Sequence, residues 1–185
     1  MPEREAMVRE HAAVRIHVLS GRAALQVRSW MPERTAGGRI VTLGGWELPS
    51  LVGATLSGQT RVLCVGPADW LVVSEALAIS CLREYLGPQT RQQGFAVVDL
   101  THGLAVLRVQ GRGARELLSM GCGIDVHPRS FPPGRCARTR FAQVPVIIEC
   151  VERLRQFELY VARSYLAYLQ SWLIDAAADF EEAME

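Results

Sequence analysis

Asp99 and His102 stand three residues apart in this chain, around Thr101. At that spacing a carboxylate can hold one tautomer of an imidazole and raise its basicity, which is what a general base requires. The same residues also suit a turn, because Asp and Thr side chains bond nearby backbone amides. Catalysis would need further partners within reach, and no nucleophile triad accompanies the pair, so turn chemistry is the reading taken.

Cys122 lies in the short run Met120-Gly121-Cys122-Gly123, with His127 the one nearby candidate for a base. A reactive thiol needs an exposed, electropositive setting. His127 precedes Pro128, which favours extended backbone there, so a structural cysteine is expected. Gly111-Arg112-Gly113 resembles the opening of a dinucleotide fingerprint, but Glu116 occupies the third glycine position and would repel a pyrophosphate. A turn from strand to helix is expected instead. The densest basic run is Arg129, Arg135, Arg138 and Arg140, interleaved with Phe131, Pro132 and Pro133. Arginine forks bind carboxylates and phosphates in bidentate fashion, so an anion site or an acidic partner is one reading. A solvated loop paired with the acidic C-terminal tail is the other, and the sequence favours neither.

The elements that would position these residues follow from periodicity. Residues 1–12 are charged and read as a flexible lead-in. Val14, Ile16 and Val18 alternate with other residues as a strand, Ser20-Gly21 marks a turn, and Ala24 to Val27 is the expected return strand. The glycine-rich stretch 32–45 reads as a loop with one short strand at Ile40 to Leu43, and 46–51 as irregular. Arg61 to Val65 and Trp70 to Val73 read as paired strands. Ser74 is the expected N-cap of a helix over Glu75 to Leu86, with Leu77, Cys81, Leu82 and Tyr85 on its apolar face.

The second half follows the same grammar. Phe95 to Leu100 and Leu104 to Val109 read as a hairpin around His102-Gly103, then comes a helix over Gly111 to Met120 and a proline-rich loop from His127 to Gly134. Ala137 to Val151 reads as a long interrupted strand and Gln156 to Val161 as another. Ser164 is the expected cap of a terminal helix striped with Leu166, Leu169, Trp172, Leu173 and Ala176. The repeated pattern implies an α+β fold: two pseudo-repeats of antiparallel strands with packed helices, forming a single domain over 13–182 with halves at about 13–90 and 91–182.

Composition sets outer bounds. The 185 residues are 49% hydrophobic and 21% charged, ordinary for a globular chain. Twenty basic residues against 19 acidic ones leave a net charge of +1, so no broad electrostatic pull toward nucleic acid or an anionic membrane exists. No apolar run approaches the roughly 18–20 residues that span a bilayer. The N-terminus lacks the apolar region of a signal peptide, so a cytoplasmic protein is expected. The five cysteines are scattered without any Cys-x-x-Cys pair, which suits free thiols better than disulfides or zinc. The tryptophans Trp30, Trp46, Trp70 and Trp172 are expected in core and interface positions.

Three central motifs, Asp99 to Gly103, Gly121 to Pro128 and Phe131 to Ala137, resemble the gamma subunit family of heterotetrameric sarcosine oxidases. Gly66 to Leu71 and Tyr160 to Tyr165 match the same family, and the likeness runs in order from about Val14 to Phe180. Thr101 stands where the family more often has serine, and Gly123 where proline is common. The resemblance implies a fold similar to the folate-binding domain of glycine-cleavage aminomethyltransferases. It also implies a complex with alpha, beta and delta subunits that oxidatively demethylates sarcosine to glycine. FAD, FMN and NAD would sit in the alpha and beta subunits and zinc in delta. No catalytic, cofactor-binding or metal-binding residue of the family maps onto this chain. The expected role is thus a non-catalytic subunit, with Arg129, Arg135, Arg138 and Arg140 as candidate partner or anion contacts. The alternative is a free-standing folate-binding or aminomethyltransferase-like protein.

Overall fold

The computed structural model describes residues 4–10, 13–31, 41–43, 46–56, 60–75, 84, 90, 93–152 and 155–182. Among these the strands run β1 (Arg4–Glu10), β2 (Arg15–Ser20), β3 (Ala23–Ser29), β4 (Val41–Leu43), β5 (Trp46–Leu48), β6 (Thr55–Leu56), β7 (Thr60–Gly66) and β8 (Asp69–Ser74). They continue as β9 (Phe95–Asp99) and β10 (Leu104–Gln110), then helix α1 (Ala114–Gly121), then β11 (Arg135–Phe141), β12 (Val144–Glu152) and β13 (Gln156–Ala162). A 3-10 turn at Arg163–Tyr165 leads into α2 (Leu166–Glu182). The helix expected over 75–86 lies outside the described residues apart from Glu75 and Glu84, and with it Leu77, Cys81, Leu82 and Tyr85.

The chain divides into two compact units. One comprises Met1–Ser20 with Gly103–Glu185, the other Gly21–His102. The first is built on an antiparallel sheet ordered β1-β2-β10-β13-β12-β11, the second on one ordered β6-β7-β8-β3-β9, with β4-β5 as a separate ribbon. This is an α+β architecture of antiparallel strands with packed helices. Its partition differs from the halves expected at 13–90 and 91–182, because β2 pairs with β10 from far along the chain.

Both expected hairpins around Gly21 and His102 are therefore corrected. β2 and β3 belong to different sheets, as do β9 and β10, so these turns carry the chain from one unit to the other. A turn signal between two alternating runs fixes a change of direction, and which strand each run then pairs with is decided elsewhere. Gly21 serves this with φ +80, a conformation an L side chain rarely adopts. Residues 4–10 are likewise not a lead-in but a strand paired with β2. Charged composition is what an edge strand tolerates, since it discourages pairing with other chains. Trp46 to Leu48 is also a strand rather than irregular.

In the first unit every second residue of the sheet faces the helices. Ile16, Leu107, Val109, Val146, Ile148, Phe157 and Leu159 meet Ala114, Leu117 and Leu118 of α1 and Leu169, Leu173 and Ala176 of α2 in one cluster. Full burial of each large side chain here contributes about 1.5–3 kcal/mol. Phe141 and Trp172 meet edge to face at 5.0 Å. A Cβ on Gly121 would lie 2.7 Å from Trp172 Cη2, so only glycine lets α1 end against that ring. In the second unit Leu25, Val27, Val62, Cys64, Trp70, Val72 and Phe95 form the core with Leu43 and Leu48.

Candidate functional site

β11 is an edge strand of the six-stranded sheet, and it carries three of the four candidate arginines. Its alternation sends Phe141 into the core with Ala137 packed behind it. Cys136, Arg138 and Arg140 consequently share the opposite face, while Arg135 lies on the side of Ala137. Arg138 and Arg140 are exposed, Arg135 is half-buried, and Arg129 is exposed in the preceding loop. The structure brings Arg138 and Arg140 together, places Arg135 across the sheet from them, and puts Arg129 on a separate segment. The dense basic run of the sequence is thus split by the two-residue period of a strand.

The loop bearing Arg129 is held in place from several sides. Arg115 of α1 donates to the carbonyl of Val126 and, at 3.1 Å, to that of Phe131. Its guanidinium lies 4.8 Å from the centre of the Phe157 ring. Asp125 accepts from the His127 backbone N–H at 2.8 Å and from the Ser130 hydroxyl. The Ser130 hydroxyl and then the His127 amide hold the Asp125 carboxyl below its ordinary range. His127 Nδ1 in turn accepts from the backbone N–H of Arg129 at 3.2 Å. That nitrogen is committed to the turn. The thiol of Cys122 is pushed up by burial, against weaker lowering contacts from Ile124, Thr139 and Gly123, which is the setting of a structural cysteine.

The other sequence candidates also resolve into structure. Asp99 Oδ1 accepts from the Thr101 backbone N–H at 2.9 Å, and Thr101 Oγ1 accepts from the Ala24 N–H at 3.1 Å. This is the turn chemistry expected of them, and it explains why a hydroxyl is wanted at position 101. Gly111 has φ +125, and a Cβ there would lie 2.3 Å from the Ala13 carbonyl oxygen, which accepts from Gly113 N–H at 3.1 Å. The glycines serve that close approach. In the turn between β7 and β8, Asp69 receives Arg28 Nη2 at 2.8 Å and Gln26 Nε2 at 3.0 Å, and Ala68 adopts φ 53. Trp70 is 1% exposed and donates to the Pro49 carbonyl, whereas Trp30 is 53% exposed. α2 begins after a 3-10 turn that contains Ser164, so that serine is not its cap.

Sequence reasoning missed a polar row on the face of the six-stranded sheet that Arg138 and Arg140 share. Register aligns Cys136 with Glu149, Glu149 with Glu158, Glu158 with Arg108 and Arg108 with His17. Glu149 is 1% exposed, Glu158 0% and Tyr160 1%. The Tyr160 hydroxyl is 2.6 Å from Glu149 Oε2 and 2.9 Å from Glu158 Oε2. Arg108 donates to Glu158 Oε1 at 3.0 and 3.3 Å. Such a network is tolerated inside a protein when its members satisfy one another. The available signal was a glutamate within each of two apolar strands, at Ile147-Ile148-Glu149-Cys150 and Phe157-Glu158-Leu159-Tyr160.

Among the described residues no group of three His, Cys, Asp or Glu side chains could hold a metal ion. Among the described residues no helix is long and apolar enough to cross a membrane. The site sets exposed arginines of an edge strand on the same face of the sheet as a buried carboxylate network.

Residues 35–179 match the model of the sarcosine oxidase, gamma subunit family. The sarcosine oxidase subunit gamma of Corynebacterium sp. (strain U-96) is 30% identical over 158 residues, covering 83% of this chain and 74% of that protein. A chain of the heterotetrameric sarcosine oxidase from Corynebacterium sp. U-96, solved with pyrrole 2-carboxylate, superposes with a TM-score of 0.76 at 26% identity, covering 94% of this chain and 88% of its own. The glycine cleavage system aminomethyltransferase T of Bartonella henselae shares the fold, with a TM-score of 0.62 at 13% identity over 89% of this chain and 46% of its own. The chain belongs to the sarcosine oxidase gamma subunit family.

Proposed function

We propose that this chain is the non-catalytic gamma subunit of a cytoplasmic heterotetrameric sarcosine oxidase, whose alpha, beta and delta subunits carry out the oxidative demethylation of sarcosine to glycine. The observation that carries this reading is the likeness, over 94% of the chain, to a chain of the solved heterotetrameric enzyme. The residues that looked chemically able are engaged in turns, packing and buried pairing, which supports a chain that lends surface to the assembly. FAD, FMN, NAD and zinc then belong to the partner subunits. Arg138 and Arg140, side by side on β11, with Arg129 on its braced loop, are suited to carboxylates of a larger subunit.

Co-expression with the large subunits tests the reading. We expect the chain to co-purify in a fixed ratio with flavin-bearing subunits, and its omission to lower sarcosine oxidation or the yield of the complex. Assembly and full turnover without it, with this chain eluting alone as a stable monomer, would overturn the proposal. Calorimetric binding of tetrahydrofolate by the isolated chain would instead favour a free-standing folate-binding protein.

A further inference from the structure

From Ser164 to Ile174 the chain carries no charged residue, between Arg163 and Asp175. This run is the last residues of the 3-10 turn and the first half of α2. One side is accounted for, since Leu169 and Leu173 are fully buried and Leu166 and Trp172 pack against the same core. The other side is open. Tyr165 is 43% and Tyr168 48% exposed, and Ala167 and Ser171 are exposed beside them. The outer face of a helix on a globular protein is ordinarily charged. This one offers two aromatic rings and small residues across about two turns.

A third exposed apolar side chain adjoins it. Met120, 52% exposed, precedes Gly121, whose carbonyl accepts from the Ala142 N–H at 3.0 Å. The Tyr168 hydroxyl donates to the Ala142 carbonyl at 3.0 Å. Tyr168 and the end of α1 are thus fastened to one residue, over a floor made by the Phe141–Trp172 stack. The patch contains Tyr and Met, and its Tyr168 is anchored before any partner arrives. Interface centres have this composition, and anchored aromatic side chains lose little entropy on docking.

We infer that the patch formed by Met120 at the end of α1 and Tyr165 and Tyr168 at the start of α2 docks an uncharged apolar face of one of the larger subunits. The inference rests on the gamma-subunit reading. It names a surface separate from the arginine edge, because α2 packs on the core face of the sheet and Arg138 and Arg140 lie on the other. A larger subunit is chosen over a second copy of this chain because the similar chain comes from a heterotetramer.

Hydroxyl-radical footprinting of the isolated chain and of the purified complex tests this, since Tyr and Met side chains are readily oxidised. Oxidation of Met120, Tyr165 and Tyr168 is expected to fall several-fold in the complex, with the exposed Trp30 as an independent reporter. Ala167→Glu with Ser171→Glu, both at exposed helical positions, should weaken co-purification about tenfold or more while the helical circular dichroism is kept. Unchanged oxidation of the three residues in a complex that contains the chain overturns the inference and leaves the gamma-subunit reading standing. Protection in the isolated chain that grows with its concentration assigns the patch to self-association and also overturns it. A complex that forms without the chain overturns both.

Discussion

Arg108 and Arg140 sit on the same face of the same sheet and do opposite things. Arg108, on the central strand β10, has a side chain 12% exposed and donates twice to a carboxylate of 0% exposure. Arg140, on the edge strand β11, is exposed. Position in the sheet, not residue type, sets the role. A central arginine lies against neighbouring strands on both sides, and its charge must be matched inside the fold. An edge arginine keeps its water and can exchange it for a partner's carboxylate.

The largest effect should come from breaking the central pair. Arg108→Met leaves Glu158 buried without its guanidinium, and removing one member of such a pair costs about 3–5 kcal/mol. Urea denaturation should show a loss of that size, against less than about 0.5 kcal/mol for Arg140→Ala, as for most surface positions. Equal losses for the two would dissolve the contrast.

A smaller change probes the same row. Tyr160→Phe keeps the ring and removes the hydroxyl that lies within reach of both Glu149 and Glu158. Leaving buried acceptors short of a donor costs about 1–3 kcal/mol. Thermal unfolding should place Tyr160→Phe between wild type and Arg108→Met. A neutral outcome would mean that the two carboxylates are satisfied without the phenol.

The contrast also marks what the sequence could tell. Strands Phe95 to Leu100, Leu104 to Val109 and Gln156 to Val161 were legible because apolar alternation is a local property. The stripe on α2 was legible for the same reason, and Leu169, Leu173 and Ala176 are buried as it requires. Pairing was not. Nothing near Ser20-Gly21 says that β2 continues beside β10, because that choice depends on residues more than 80 positions away. The polar row was hidden for a related reason: Arg108, Glu149, Glu158 and His17 become neighbours only once the register is known. The arginine segment failed differently, since proximity along the chain suggested one cluster where a strand's period makes two sides. Arg115 was overlooked because a cation near a helix start reads as solvated, while here its targets are carbonyls of the following loop.

The smallest expected effect concerns the loop that presents Arg129. The Asp125 carboxyl titrates below its ordinary range, chiefly through the Ser130 hydroxyl and then the His127 amide. A carboxylate favoured in the folded state lends stability above the pKa of the unfolded chain, near 4 for Asp, and loses it as pH falls through the lower folded value. The loop should therefore hold its geometry at neutral pH and loosen only in acid. NMR titration of Asp125 should show its midpoint rise toward the ordinary value in Ser130→Ala, with little change in global unfolding. If the midpoint does not move, the hydroxyl is not what secures the turn. Arg129 would then owe its position to Arg115 and to the His127 contacts rather than to Ser130.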